Sequence, residues 1–177
     1  MHKINKLSKL FMYISLLSGV LWLGSYLTRL LLTYQLFEPK DYILKPYVTP
    51  ENLGGILRIL GAAASTTSIL YSIFILALII FLISSKINLK KNGWLFITVL
   101  IVLITLPFEI YLMTIDYSII KSIYYSTFDS HTILNLFIKR LKILGSFSLV
   151  EIFSYFAAVY FILFQPLTKR DEIKNED

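Results

Sequence analysis

The sequence contains no cysteine and only two histidines among its 177 residues. Without a thiol, the protein cannot form a disulfide, a thiolate metal site or a thioether link to haem. His2 lies in the polar N-terminal segment, so no pair of histidines is placed to ligate a haem within a bilayer. We therefore expect neither a metal site nor a cofactor.

Signals for phosphate or nucleic-acid binding are also missing. The seven glycines are scattered or doubled and do not form a phosphate-binding loop. The net charge is +6, but the basic residues flank apolar runs instead of forming an exposed stripe. This distribution is typical of the flanks of membrane helices, so we expect the lipid bilayer, and no nucleic acid, as a partner.

Charged residues make up 16% of the sequence, whereas a soluble domain has about 25%. Apolar residues make up 56%, and the mean hydropathy is +0.71. A helix of about 20 apolar residues crosses the hydrocarbon core of a bilayer. The pattern predicts an all-α integral membrane protein with a single membrane domain, a bundle of four transmembrane helices. The predicted spans are residues 10–33, 60–85, 94–115 and 143–164.

The distribution of Lys and Arg predicts the orientation of these spans. The N-terminal segment, the hairpin 86–93 and the tail 165–177 are rich in Lys and Arg. The connections 34–59 and 116–142 are diluted with acidic residues, with a basic cluster at 139–142 as the exception. Cytoplasmic flanks carry the excess of positive charge, so we expect both termini in the cytoplasm of a prokaryotic cell. The basic residues on the predicted cytoplasmic side are Lys3, Lys6, Lys9, Lys86, Lys90, Lys91, Lys169, Arg170 and Lys174.

The two outer connections contain signals for short helical segments. Thr49 followed by Pro50 is typical of a helix N-cap and first helical residue, so the second helix should begin before its apolar run. Asp129 and Ser130 offer a second cap. Residues 133–143 mix apolar and basic side chains, which favours an amphipathic helix on the headgroup surface. An extension of the fourth transmembrane helix is equally compatible with this stretch.

Small and hydroxyl-bearing residues recur on one face of the second predicted helix. Contacts between membrane helices favour such residues because they let the backbones approach closely. We therefore predict a helix-packing stripe on this face. It consists of Gly61, Ser65, Ser68 and Ser72.

Charged residues within the predicted spans form the second candidate site. A charge at the centre of a membrane helix costs about 2.5–3.5 kcal/mol on insertion scales, so such residues are kept when they pair or function. Helical spacing places two arginines and two glutamates on inward faces in the outer leaflet. We therefore predict an intramembrane ionic cluster of Arg29, Arg58, Glu109 and Glu151. Asp116 is expected to be a solvated residue at a helix end.

These features leave three hypotheses about function. The first is a multi-pass membrane protein that acts through helix packing, as an accessory subunit of another membrane protein or in a homo-oligomer. The second is a small transporter or channel-like protein that uses the ionic cluster. An enzyme comes third, because the sequence contains no nucleophile paired with a base and no cluster of metal ligands. A cavity that reaches the glutamates would favour transport, and carboxylate–guanidinium contacts in a dry bundle would favour packing.

Overall fold

The computed structural model describes residues 5–39, 41–143 and 147–167. Five helices form this part of the chain. Four of them are long and apolar enough to cross a membrane, and only the fourth helix along the chain is not. The predicted all-helical class is confirmed, and the four apolar helices indicate an integral membrane protein. The helices are α1 (Lys6–Gln35), α2 (Pro50–Ser85), α3 (Gly93–Tyr124), α4 (Ser130–Ile143) and α5 (Phe147–Phe164).

Helices α1, α2 and α3 are longer than their apolar runs, and α2 and α3 extend furthest beyond them. Helices α2 and α3 have 36 and 32 residues. At 1.5 Å per residue they are about 54 and 48 Å long, against about 30 Å for a hydrocarbon core. As predicted, α2 begins at Pro50, and the Asn52 side chain accepts a hydrogen bond of 2.9 Å from the Thr49 N–H. Helix α3 continues through Pro107 to Tyr124.

Helix α1 packs antiparallel along α2. Their hydroxyl groups meet at two levels of the contact, with 2.9 Å between the Ser8 and Ser84 oxygens and 2.8 Å between Ser25 and Thr67. Between these pairs, Gly19 leaves room for a ring of α2, since a Cβ there would lie 3.1 Å from Phe74. Small and hydroxyl-bearing residues therefore bring the two backbones together.

Helix α3 packs antiparallel to α5. The Thr105 and Tyr155 hydroxyls are 2.9 Å apart. Nearer the start of α3, the Gly93 N–H donates a hydrogen bond of 3.2 Å to the Leu167 carbonyl. Glycine permits this approach, since a Cβ at position 93 would lie 3.0 Å from the Leu167 oxygen. The contact holds the connection between α2 and α3 against the segment that follows α5.

The antiparallel contacts divide the molecule into two ends. The basic end is where α1 and α3 begin and α2 and α5 end. The α4 end is opposite and holds the connections 36–49 and 125–129. The described lysines of the basic end are Lys6, Lys9, Lys86, Lys90 and Lys91.

The predicted packing stripe lies at the edge of the buried face of α2. Gly61 is buried against Ile123 of α3. Ser65, Ser68 and Ser72 are only half-buried. The hydroxyls of Ser65 and Ser72 donate to carbonyl groups of their own helix. The buried face is centred instead on Leu57, Leu60, Ala64, Thr67 and Tyr71.

Helix α4 is the amphipathic segment that the sequence predicted. Asp129 accepts hydrogen bonds from the backbone N–H groups of His131 and Thr132, at 3.2 and 3.1 Å, and so caps the helix. The predicted fourth span starts at 143, but Ile143 is the last residue of α4, and α5 begins at Phe147. Residues 144–146, which would join the two helices, lie outside the described residues. The buried face of α4 consists of Ile133, Phe137, Arg140 and Leu141.

Candidate functional site

Asp116 bridges two buried arginines near the α4 end. Its Oδ2 accepts a hydrogen bond of 2.9 Å from Arg29 Nη1, and its Oδ1 lies 2.8 Å from Arg140 Nε. The three residues are 2%, 4% and 8% exposed, respectively. Three helices are therefore joined through one carboxylate, because Arg29 belongs to α1, Asp116 to α3 and Arg140 to α4.

The expectation that Asp116 is solvated is wrong. Helix α3 continues to Tyr124, so Asp116 lies within the helix and not at its end. Helix α4 then packs on this part of α3 and covers the aspartate. A signal was present, since Asp116 lies seven residues after Glu109 and therefore on the same helical face.

Arg58 lies outside the predicted cluster. Its side chain is exposed, and its guanidinium carbon lies 4.4 Å from the centroid of the Phe128 ring. The buried residues next to it on α2 are Leu57 and Leu60, so the arginine points away from the core. Arg140 of α4 supplies the second buried guanidinium instead. A periodic apolar face that includes Arg140 was the available signal for this residue.

Glu109 and Glu151 are brought together at the contact of α3 with α5. They are 3% and 0% exposed, and their carboxyl groups are close enough to interact with each other. Glu109 Oε1 and both carboxyl oxygens of Glu151 have no hydrogen-bond partner among the described residues. Within the same part of the chain, the ion pairs of Arg29 and Arg140 are made with Asp116 and not with a glutamate.

A layer of hydroxyl groups and rings adjoins the two glutamates. The Tyr26 hydroxyl donates a hydrogen bond of 3.2 Å to Ser148 Oγ. The face of the same ring is 5.7 Å from the guanidinium carbon of Arg140, so Tyr26 contacts both the arginine and the region of the glutamates. Trp22 closes the layer towards the basic end, with its ring centroid 4.6 Å from that of Tyr155.

A small cavity of about 10 Å³ lies beside the two arginines. This is about the space of one water molecule, which needs roughly 10–15 Å³ by this measure. Neither glutamate lines the cavity. The lining residues are Arg29, Leu30, Thr33, Phe137, Arg140 and Leu141.

The charges of the site balance when it holds one proton. Two guanidinium groups face three carboxyl groups, so full ionisation would leave one net negative charge in a buried region. An uncompensated buried charge is strongly unfavourable, and two adjacent carboxylates cannot both ionise easily. Asp116 contacts both arginines but offsets only one of their two positive charges, so one of Glu109 and Glu151 is ionised and the proton belongs with the other. Among the described residues, no group of His, Asp and Glu could hold a metal ion.

Comparison with known proteins identifies no relative of this chain. No family model, no curated protein and no solved structure matches the chain. The chemistry of the site therefore follows from its own residues, which can bind an anion through arginine or exchange a proton through a carboxyl group.

Proposed function

We propose that this protein is a small proton-linked transporter or channel-like protein, in which Glu109 and Glu151 bind the proton. The observation that carries the proposal is the pair of adjacent, buried carboxyl groups of Glu109 and Glu151, neither of which forms an ion pair with an arginine in the described part of the chain. Ionisable residues inside membrane proteins commonly mark pathways of protons and ions.

The orientation belongs to the same proposal. We place the basic end, and with it both termini, in the cytoplasm of a prokaryotic cell, because cytoplasmic flanks are enriched in Lys and Arg. The site then lies nearer the outer surface, since Glu151 is in the first turns of α5 at the α4 end. A proton would reach the glutamates from outside past Arg140 and α4.

A packing function is the second candidate, as an accessory subunit or in a homo-oligomer. The bridge of Asp116 to Arg29 and Arg140 favours it, because direct carboxylate–guanidinium contacts in a dry interior hold helices in a fixed register. The transport hypothesis predicts a cavity that reaches the glutamates, but neither glutamate lines the cavity beside the arginines, so this observation also favours packing. The two functions differ in what they require of Glu109 and Glu151, since only the transport function requires them to exchange a proton.

Infrared spectroscopy of the protein in lipid vesicles tests the proposal. We expect a carbonyl band of a protonated carboxyl group at neutral pH, and its loss in the double variant Glu109→Gln/Glu151→Gln. Glu38→Gln is the matched control, because Glu38 is exposed in the connection after α1. A wild-type protein without the band, or a double variant that keeps it, would contradict the proposal. An intact melting transition of the double variant shows that loss of the band is not loss of the fold.

A further inference from the structure

A second cavity lies between α1, α2, α3 and α5 on the side of the basic end. Its volume is about 80 Å³, and nearly all of its lining is apolar. None of the charged residues of the ionic cluster lines it. Residues that mark its extent are Met12, Gly19, Leu23, Phe74, Trp94 and Ile162.

The shape of this cavity is elongated along the helix axes. On α1 its lining extends from Met12 to Leu23. Eleven steps of 1.5 Å correspond to about 16 Å along the axis. A narrow apolar space of this length, parallel to the helices, is suited to a single extended hydrocarbon chain and not to a ring system.

The cavity opens sideways between α1 and α5. Val20 of α1 lines it and is 58% exposed, and Val159 of α5 lines it and is half-buried. Both residues lie in helices that are apolar enough to cross a membrane. The opening therefore faces lipid tails, so the molecules able to enter are those of the bilayer.

Positive charge is concentrated beyond the end of the cavity that lies towards the basic end of the molecule. Lys9 lies one turn before Met12, and Lys90 precedes the lining residue Trp94 by four positions. Lys9, Lys86 and Lys90 are exposed. These lysines lie on α1 and in the connection between α2 and α3, on the side towards which the cavity extends. Basic groups between membrane helices are a general feature of sites for anionic lipid headgroups.

We propose that this cavity binds one acyl chain of an anionic phospholipid, with the lipid phosphate held by Lys9 and Lys90. The chain and the headgroup would be recognised by different parts of the protein. Lipid tails outside the cavity are as apolar as its lining, so the acyl chain is retained by van der Waals packing and not by the hydrophobic effect. Discrimination among lipids then comes from the headgroup, since phosphate charge is attracted to lysine and a zwitterionic headgroup has no net charge.

Native mass spectrometry tests the proposal with two lipids of identical acyl chains, phosphatidylglycerol and phosphatidylcholine. We expect the wild-type protein to retain phosphatidylglycerol at least tenfold more than phosphatidylcholine. Val159→Phe and Val20→Phe fill the cavity from α5 and from α1, and each should reduce retention of both lipids. The matched control is Val150→Phe, because Val150 is 58% exposed on α5 and does not line the cavity.

The headgroup is tested separately with Lys9→Gln/Lys90→Gln, which should lower retention of phosphatidylglycerol to that of phosphatidylcholine. Lys121→Gln/Lys139→Gln is the control, since both lysines are exposed towards the α4 end. Equal retention of the two lipids by the wild-type protein would overturn the proposal. Unchanged retention in both cavity-filling variants would also overturn it. Each variant is a separate test, so misfolding of one leaves the other informative. The proton-binding role of the glutamates is unaffected by either outcome.

Discussion

Replacement of Asp116 by asparagine tests how the buried charges stabilise the protein. Asp116 is the carboxylate that contacts both Arg29 and Arg140, at 2.9 and 2.8 Å, and all three side chains are buried. Asparagine preserves the shape but removes the charge, so two guanidinium groups lose their partner. Breaking a buried ion pair by removing one member costs about 3–5 kcal/mol. Release of the proton held by Glu109 and Glu151 can offset part of this, so we expect a loss of about 3 kcal/mol, at the lower end of that range.

The glutamates should behave differently. Glu109→Gln and Glu151→Gln change a carboxyl group that lacks an arginine partner within the described residues. If the pair already holds a proton, a neutral amide is a close substitute, and we expect a loss of at most about 1 kcal/mol, as for an ordinary neutral hydrogen-bonding group. Arg58→Gln is an exposed control in which only the contact with Phe128 is lost, at about 0.5–1 kcal/mol.

Unfolding by titration with sodium dodecyl sulfate, followed by tryptophan fluorescence, measures these differences. Trp22 and Trp94 are both buried, so their emission should change when the helices separate. Replacing Arg29, Asp116 and Arg140 together by apolar residues of similar volume should recover most of the stability lost in Asp116→Asn. A glutamate variant that is as unstable as Asp116→Asn and is rescued by replacing an arginine would contradict this assignment of the charges. That result would mean that the glutamates neutralise the arginines and would favour the packing function.

Three further predictions concern topology, helix packing and the cap of α4. Cysteines introduced at Asn88 and Lys45 should react with an impermeant thiol reagent from opposite sides of the membrane, and Asn88 only from the cytoplasm; labelling from one side at both positions would refute the orientation. Gly61→Leu should disrupt the contact of α2 with α3 and lower the melting temperature, whereas Ile79→Leu, at a position 46% exposed, should not; equal melting temperatures would exclude this contact. Hydrogen bonds from the side chain and backbone of Thr132 lower the pKa of Asp129 from its ordinary value of 3.8, so the cap is present above that value and is lost as the pH falls through the lowered pKa. Asp129→Ala should therefore speed amide exchange in the first turn of α4 at neutral pH, and exchange rates equal to wild type would contradict the cap.

Most of the helices could be predicted from local properties of the sequence. A long apolar run must form a helix inside a bilayer, because its backbone groups have no other partner there. This reason is local, and it placed the four apolar helices. The preference of Thr and Asp for the N-cap position, which is also local, placed the caps at Thr49 and Asp129. Helical periodicity identified Arg29, Glu109 and Glu151 as residues on inward faces, and all three are buried.

The pairing of the charges was decided only by the tertiary structure. Periodicity gives the face of a helix on which a residue lies, but not which neighbouring helix covers that face. Arg58 shares a helical face with Gly54 and Gly61, and Arg140 shares one with Ile133 and Phe137. Arg58 is nevertheless exposed, whereas Arg140 is buried against Asp116. The difference arises because α4 packs onto the extended part of α3, a contact between residues distant in sequence. A charged residue takes the nearest partner that this packing supplies, and so Asp116, not a glutamate, holds the two arginines.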